Sequence, residues 1–593
     1  MALSLMAQLL PSISAVGNNA CVACGLVVTL VLEHRLPCAV EDTDCGAAAA
    51  ELKGLAPNQV CKLVGLCSHN SSCTLWPDSE WPPVSLPPQP PHDPPNLRRR
   101  LGGGGGGDGL RRLAQALASM FSSAPLAGAS HTGLAQQRGF FALSDTIAGL
   151  LGETKIDTVE AAARAAVARG LLKTHPCAPL NVSCIVDRFA NQHLPIFDRD
   201  FDGFSPREHR GLRGSHWRGA DCDDGDPDVY PGRRSPPSDA SVDHDCNGIA
   251  GLDNASGVPY EELLCNGTER RGLIHIGDSA TAHFHLPPSW LTARGWSGLN
   301  NGRADAVDEL DWPACAWGTG YKNASACPAT ANASLAALPS LAARLRLRNR
   351  CNHRDYQNIG VNGARVTGIL PSVSSAARAA ALDHPALVVF SLIGNDVCNG
   401  HADTIAHMTT VGEFRNKTLG ALSALDAKMP RGSFVLLVGL VDGRVLYESL
   451  HAHTHPTGTT YEDVYGFLTC NGANPCNGWL SSNATLRNAT SARAAALSAV
   501  HESIAATATY ANLSLGYYRP DMRALVSNYT SQTGRDPKDL FEPSDGFHPS
   551  QLANALLAEQ LWQHLEAHYP QALGPTNPHN AEIERLFGAQ GGF

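Results

Sequence analysis

The segment Leu273-Ile274-His275-Ile276-Gly277-Asp278-Ser279 decides the fold assignment of this chain. Its first four residues form a short apolar run that predicts a β-strand, and its last three predict a tight turn presenting a serine. Far downstream, Asp545-Gly546-Phe547-His548 places a carboxylate and an imidazole three residues apart, just before a long helical pattern. A serine hydroxyl is a weak nucleophile, and it needs a base and a third group that orients the base. The chain order Ser279, Asp545, His548 therefore predicts a serine esterase.

Strand and helix patterns alternate from Gly272 onward. Strands are predicted at Leu273–Ile276, Leu387–Ile393 and Phe434–Leu440, and the predicted helices include Ala492–Ala508 and Gln551–Ala567. Near-continuous apolar strands separated by helices are typical of a parallel sheet that is covered on both faces. The predicted fold class is therefore α/β, and catalytic residues are expected on loops at the carboxyl ends of the strands.

Composition narrows the classes of partner and compartment. The 593 residues include 45 Lys and Arg against 55 Asp and Glu, and the net charge of −10 argues against a nucleic-acid partner. No apolar run approaches the ~20 residues that a membrane helix needs. Eighteen cysteines and eleven Asn-x-Ser/Thr sequons favour the secretory route, with a secreted or endo-lysosomal glycoprotein as the product. The segment Leu3–Leu10 is a weak signal sequence, because no basic residue precedes it.

The first 176 residues divide into two parts. Residues 18–76 are a cysteine-rich helical block, and residues 77–176 are a low-complexity linker or propeptide region with a proline-rich stretch and six consecutive glycines. The cysteine spacing of the block resembles a saposin B-type domain, a small all-α module that binds lipid. This resemblance implies the pairs Cys21–Cys67, Cys24–Cys61 and Cys38–Cys45. The alternative is a small disulfide-stapled helical domain without a ligand, and the short Cys45–Cys61 interval leaves lipid binding open.

The next part, residues 177–265, contains an aspartate-rich segment. Eleven aspartates lie between positions 198 and 247, several of them at alternating positions close to glycine. Hard oxygen ligands in such a pattern suit Ca²⁺, which takes about 6–8 oxygens. The first run is not an EF-hand, because its twelfth position is His209 rather than Glu. The alternative is a solvated acidic loop. The predicted ligands of structural Ca²⁺, with backbone carbonyls from the apolar residues, are Asp198, Asp200, Asp202, Phe204, Asp221, Asp223, Asp224, Asp226, Val229, Asp239, Asp243, Asp245, Asn247, Ile249 and Glu261.

Four short motifs follow one another in the last part, residues 266–593. They are Gly277-Asp278-Ser279, Asn358–Gly363 after a predicted second strand, Gly394-Asn395-Asp396 and Asp545–His548. Each motif alone is weak, but together and in this order they resemble the GDSL/SGNH hydrolase family.

The family resemblance implies a three-layer α/β domain and assigns a role to each motif. Ser279 would be the nucleophile, His548 the general base and then acid, and Asp545 the carboxylate that orients His548. The Ser279 N–H, the Gly363 N–H and the Asn395 side chain would form the oxyanion hole, since a tetrahedral oxyanion needs several preorganised donors.

The order of the parts is more specific than the motifs. A saposin-like block, a linker, an aspartate-rich segment and an SGNH domain together resemble the acyloxyacyl hydrolase family, and stretches such as Cys351–Asn358 and Asp545–Pro549 carry the resemblance. It implies hydrolysis of secondary fatty acyl chains, ester-linked to primary hydroxyacyl chains of lipid A in bacterial lipopolysaccharide, at a membrane or micelle surface. It also implies cleavage into two disulfide-linked parts, with Cys73 as the candidate for the bridge. A broader GDSL phospholipase or carboxylesterase, and a catalytically inactive lipid-binding protein, are the alternatives.

The remaining cysteines are only partly assigned. Cys222 and Cys246 lie inside two aspartate runs and are predicted to pair, and Cys315–Cys327 and Cys470–Cys476 are predicted as local pairs. The connectivity is open for Cys73, Cys177, Cys184, Cys265, Cys351 and Cys398.

Overall fold

The structure is a computed structural model that describes residues 194–195, 198–207, 216–236, 240–285, 311–321, 327, 338–456, 458–470 and 474–592. The predicted saposin-like block and the linker region lie outside the described residues. The same holds for Asp239 and for Cys21, Cys24, Cys38, Cys45, Cys61, Cys67, Cys73, Cys177 and Cys184.

A five-stranded parallel sheet forms the centre of the described chain. Its strands are β1 Gly272–Gly277, β2 Tyr356–Gly360, β3 Ala386–Ser391, β4 Ser433–Val438 and β5 Leu513–Tyr518, in the spatial order β2-β1-β3-β4-β5. The register places Gly277 beside both Gly360 and Ser391, so β1, β2 and β3 end at the same edge. The first three motifs therefore converge at one edge of the sheet, as a parallel arrangement requires.

Helices cover both faces of this sheet. Phe390 of β3 packs against His501, whereas Phe434 of the neighbouring β4 packs against Tyr569. Because Phe390 pairs in register with Leu437, Phe434 points to the opposite face, so the two rings mark two separate helical layers. The described α-helices are α1 Tyr260–Cys265, α2 Ser279–Ala282, α3 Leu341–Arg348, α4 Leu370–Ser375, α5 Val411–Lys428, α6 Arg444–Leu450, α7 Tyr461–Cys470, α8 Ala484–Thr507, α9 Met522–Thr533, α10 Gln551–His568 and α11 Asn580–Phe587.

The predicted three-layer α/β domain is therefore present. The strands predicted at Leu273–Ile276, Leu387–Ile393 and Phe434–Leu440 correspond to β1, β3 and β4. The placement of the Asn358–Gly363 motif wholly after a strand is wrong, since its first three residues belong to β2. Helix α8 begins eight residues before the predicted start at Ala492, because Asn483 caps it by accepting from the N–H groups of Thr485 and Leu486.

The aspartate-rich segment packs along the outer edge of the sheet. Residues Trp217–Gly219 run antiparallel to β2, with the Trp217 carbonyl accepting from the Asn358 N–H at 2.8 Å and the Gly219 N–H donating to the Tyr356 carbonyl at 2.9 Å. The guanidinium of Arg218 is fully buried and donates to the carbonyls of Gly203 and Ser375. This segment satisfies the backbone groups of β2, which would otherwise be an open sheet edge.

Four disulfides lie within the described residues. Cys222–Cys246 and Cys315–Cys327 form as predicted, and the structure adds Cys265–Cys351 and Cys398–Cys476. The predicted Cys470–Cys476 pair is wrong, because the segment after Cys476 docks on the loop that follows β3. There, Asn477 N–H donates to the Asn399 carbonyl at 2.9 Å, which brings Cys476 to Cys398. Among the described helices, none combines the length and the apolar character that a membrane crossing requires.

Candidate active site

Ser279 is the first residue of α2, and Asp278 alone separates it from the carboxyl end of β1. Asp278 caps α2 by accepting from the Ala280 N–H at 3.1 Å, and its other oxygen accepts from the Ile393 N–H at 2.9 Å. Burial raises the pKa of Asp278 to about 6, although these backbone hydrogen bonds oppose the rise. Asp278 thus ties the turn that carries Ser279 to the loop after β3.

Two glycines make this turn sterically possible. A Cβ on Gly277 would lie 2.0 Å from the Thr281 hydroxyl oxygen and 2.5 Å from the Ser391 carbonyl oxygen. A Cβ on Gly360 would lie 2.5 Å from the backbone nitrogen of Ala282. Helix α2 therefore packs so closely on the ends of β1 and β2 that only glycine fits beneath it.

Ser279, His548 and Asp545 form a continuous hydrogen-bonded chain. The His548 Nε2 lies 2.8 Å from the Ser279 Oγ, and the His548 Nδ1 lies 2.6 Å from the Asp545 Oδ2. With Nδ1–H donating to the carboxylate, Nε2 is free to accept the serine proton, which is the arrangement of a serine hydrolase triad. The ring of Phe284 packs 4.5 Å from the imidazole, measured between centroids, and holds it in this orientation.

The Asp545 carboxylate is anchored on its other side by the backbone. Its Oδ1 accepts from the N–H groups of Phe547 at 2.7 Å and His548 at 3.0 Å. Burial favours the neutral acid, but the neighbouring His548 and these hydrogen bonds outweigh it, so the pKa of Asp545 is lowered. The carboxylate therefore stays ionised and can stabilise an imidazolium.

The two predicted oxyanion-hole residues outside α2 lie on two loops that are joined by hydrogen bonds. Asn395 lines the same cleft as Ser279, while Gly363 follows β2 with a positive φ of 74°. Arg365 donates from Nε to the Asn395 carbonyl at 2.8 Å, and the buried carboxylate of Asp396 accepts from the Val366 N–H at 3.2 Å. Burial raises the pKa of Asp396 to about 6, against the effect of its hydrogen bond from Thr409 and of the nearby Arg365.

Ser279 and His548 open into a cleft whose empty space, with the solvent at its mouth included, is about 580 Å³. Its walls are mainly apolar and come from the segment after β4, from the segment around Trp479, and from the elements flanking His548. The apolar wall residues include Val441, Val445, Leu446, Trp479, Met522, Phe541, Phe547 and Leu557. Such a lining suits a hydrocarbon chain and disfavours a charged or strongly hydrated substrate at the reacting carbonyl.

Known proteins resemble this chain in sequence. Residues 273–561 match the family model described as GDSL-like Lipase/Acylhydrolase. The chain is 44% identical to the acyloxyacyl hydrolase of Mus musculus over 406 residues, which is 67% of this chain and 69% of that protein. It is 44% identical to the one of Oryctolagus cuniculus over 407 residues (67% and 69%) and 42% identical to the one of Homo sapiens over 409 residues (68% and 69%).

This chain belongs to the acyloxyacyl hydrolase family. With its GDSL acylhydrolase domain it is an ester hydrolase that acts on lipid substrates. The apolar cleft beside Ser279 agrees with that class of substrate.

One polar pair of this family member was not found by sequence reasoning. His285 Nδ1 lies 2.7 Å from Glu542 Oε2, and both side chains are buried. The His285 ring also packs on Trp312, with the centroids 4.1 Å apart. The Glu542 N–H donates to the His548 carbonyl at 2.8 Å, so the pair joins the chain after Ser279 to the loop that carries His548.

We expect Glu542→Ala to lower the free energy of unfolding by about 1–3 kcal/mol, because it leaves the buried imidazole of His285 without its partner. Glu542→Gln keeps a polar oxygen at this position and should lower the free energy of unfolding by a smaller amount. Urea denaturation measures both, and Glu448→Ala is the matched control. Glu448 is an exposed glutamate paired with Arg523, and its loss should change stability by no more than about 0.5 kcal/mol. Equal effects of the Glu542 and Glu448 variants would contradict a supporting role for the pair.

The aspartate-rich segment gathers part of the predicted ligand set. Ligand oxygens of Asp198, Asp200 and Asp202 lie within 4.8 Å of one another, and so do those of Asp200, Asp221 and Asp224. Burial, with mutual repulsion added, raises the pKa of Asp202 to about 9 and the pKa of Asp198 to about 7. One carboxylate oxygen on each of Asp200, Asp202 and Asp221 is buried without a hydrogen-bond partner. These orphaned hard oxygens fit a divalent cation.

The later members of the predicted set form a second group around Arg270. Its guanidinium makes ion pairs with Asp245 and Glu261, and the Asn247 amide donates to the same two carboxylates. Asp243 accepts from the N–H groups of Asn247 and Gly248. Asp223 and Asp226 are exposed, whereas Phe204, Val229 and Ile249 are buried. Within the described part of the chain, the structure thus brings together the first acidic run with Asp221 and Asp224. Most polar atoms of the second group have partners inside that group, but Asp245 Oδ1 is buried without a hydrogen-bond partner.

Proposed function

We propose that this protein hydrolyses the secondary fatty acyl esters of lipid A in bacterial lipopolysaccharide. The observation that carries the proposal is the Ser279–His548–Asp545 chain at the floor of an apolar cleft, in a member of the acyloxyacyl hydrolase family. A secondary acyl chain is a plain hydrocarbon ester, and each methylene that leaves water for such a cleft contributes about 0.8 kcal/mol at most.

The proposed reaction has two half-reactions. In the first, the Ser279 Oγ attacks the ester carbonyl while the His548 Nε2 takes its proton, and the Ser279 N–H, Gly363 N–H and Asn395 amide stabilise the oxyanion. The tetrahedral intermediate collapses, His548 returns the proton to the departing hydroxyl of the primary hydroxyacyl chain, and the secondary chain stays on Ser279 as an ester. In the second, His548 deprotonates a water that attacks this ester; the tetrahedral intermediate then collapses, His548 returns the proton to the Ser279 oxygen, and the free fatty acid leaves.

The test is fatty-acid release from purified lipopolysaccharide, with non-hydroxylated secondary chains resolved from hydroxylated primary chains. We expect the secondary chains alone to appear with the wild-type protein and neither class with Ser279→Ala. Release from a phospholipid control, with none from lipopolysaccharide, would replace the proposal by a broader GDSL phospholipase or carboxylesterase. Lipid binding without any release would leave the inactive lipid-binding alternative.

We also propose that the aspartate-rich segment binds structural Ca²⁺. The support is the set of buried carboxylate oxygens without partners on Asp200, Asp202 and Asp221. A bound cation would supply their missing partner and would stabilise the segment that covers the edge of β2.

Removing Ca²⁺ with a chelator is therefore expected to lower the melting temperature by about 2–4 °C, if the ion is present at ~100 times its dissociation constant. Asp202→Asn should lose most of this dependence. The control is Asp228→Asn, which changes an exposed aspartate of the same segment that pairs with Arg233. Melting curves that are the same with calcium and with chelator would contradict the metal site.

The remaining proposals concern location and processing. We propose the secretory route, ending in a secreted or endo-lysosomal protein. Its support is that the described residues contain four disulfides and no free cysteine. We expect the mature protein to migrate as two parts on a reducing gel and as one band on a non-reducing gel. Cys73→Ser should separate the parts without reductant, and a bridge that persists in this variant would reject Cys73.

A further inference from the structure

A cluster of two imidazoles and one carboxylate lies on the surface after β3. Its members are His401, Asp403 and His407, whose ligand atoms all lie within 4.8 Å of one another. The two imidazole rings stack with centroids 3.7 Å apart, and the His407 Nε2 is 3.1 Å from the Asp403 Oδ1. Several groups of side chains in the described residues could hold a metal ion, and this is the one that contains two imidazoles.

Hydrogen bonds and a disulfide hold the backbone beneath this cluster in place. The His401 N–H donates to the Asn399 side chain at 3.1 Å, and the His401 carbonyl accepts from the Asn477 side chain at 2.9 Å. The His407 carbonyl accepts from Arg365 at 2.7 Å. The Cys398–Cys476 disulfide closes the same loop. The three side chains therefore project from a rigid platform, and only their terminal torsions need to adjust to a ligand.

The chemistry of the donors selects the kind of ion. Two imidazole nitrogens and one carboxylate oxygen suit a borderline-soft ion such as Zn²⁺, whereas Ca²⁺ prefers oxygen ligands alone. Ligands about 2.1 Å from one tetrahedral ion lie roughly 3.4 Å apart, so the observed spacing needs shifts on the order of 1 Å in side chains that face solvent.

We propose that His401, Asp403 and His407 bind one Zn²⁺ ion, with water in the fourth position. The site is separate from the aspartate-rich segment and from the catalytic triad. Arg365 donates to the carbonyls of both His407 and Asn395, so the ion would stabilise the loop that carries an oxyanion-hole residue.

The test is Zn²⁺ binding by isothermal titration to the full chain in excess Ca²⁺, which occupies the oxygen sites. We expect the double variant His401→Ala/His407→Ala to bind one equivalent fewer than the wild type and to lose the Zn²⁺-dependent rise in melting temperature. The matched control is His453→Ala, since His453 also lies near a single carboxylate, 3.4 Å from Asp536, and should leave the stoichiometry unchanged.

Asp403→Asn keeps both imidazoles and provides a second, milder variant. We expect it to lower the affinity for Zn²⁺ by about tenfold. Ester hydrolysis in the absence of Zn²⁺ reports that each variant is folded, because none of the three residues belongs to the catalytic machinery. Wild-type stoichiometry and affinity in both the double variant and Asp403→Asn would overturn the proposal. That outcome would leave the proposed reaction untouched, since the two experiments measure different sites.

Discussion

Ser279→Ala is expected to lower kcat for lipid-ester hydrolysis by roughly 10⁴- to 10⁶-fold. The variant lacks the Oγ that lies 2.8 Å from the His548 Nε2, so no acyl-enzyme can form. The remaining rate reflects only substrate binding and donors aimed at the oxyanion. Fatty-acid release under substrate saturation measures the effect, and the melting temperature should stay unchanged because one oxygen is removed without new bulk.

The matched control for this variant is Ser423→Ala. Ser423 is an exposed serine of α5 whose hydroxyl donates to the Leu419 carbonyl and lies beside the Tyr510 hydroxyl. We expect full activity from this control. A Ser279→Ala protein that is folded and retains a tenth or more of the wild-type rate would show that the nucleophile is another group.

Asp545→Asn is expected to cost about 10⁴-fold in kcat with little change in substrate binding. An amide at this position can donate to His548 Nδ1, which would place the imidazole proton on Nε2 and point it at the Ser279 oxygen. The wrong tautomer cannot accept the serine proton, although every side chain remains in place. Steady-state kinetics separates kcat from KM, and only kcat should fall.

Asp536→Asn is the control for the second variant. Asp536 precedes the short 3₁₀ helix Pro537–Leu540, accepts from the Lys538 N–H, and can be replaced by another good capping residue. It should keep wild-type kinetics. Near-normal kcat in Asp545→Asn would mean that His548 needs no orienting carboxylate and that the hydrogen-bonded chain is incidental.

The catalytic geometry was largely predictable because it depends on local patterns joined by one topological rule. An apolar run that ends in Gly277-Asp278-Ser279 predicts a strand followed by a tight turn, and parallel strands place their carboxyl ends together. Ser279 and Asn395 therefore had to meet at one edge. His548 lies beside them because the loop before α10 returns to the same edge of the sheet. The family resemblance implied this position of His548, whereas the strand pattern alone did not.

The features that sequence reasoning missed depend on contacts between distant segments. Cys470 and Cys476 are close in the chain, but the docking of Asn477 on Asn399 brings Cys476 to Cys398, 78 residues away. The pairing of Trp217–Gly219 with β2 has no periodic signature, because one fully buried charged residue interrupts it. A histidine and a glutamate 257 positions apart, as in His285 and Glu542, carry no local signal at all.

Identification of the acyl group carried by Ser279 tests the central claim most directly. The protein is mixed with lipopolysaccharide, quenched in acid during turnover and then digested. Mass spectrometry measures the mass of the peptide that contains Ser279. The proposed reaction predicts a non-hydroxylated fatty acyl ester on Ser279, which is the secondary chain of lipid A. A hydroxylated acyl group on Ser279, or turnover with an adduct on some other residue, would contradict it.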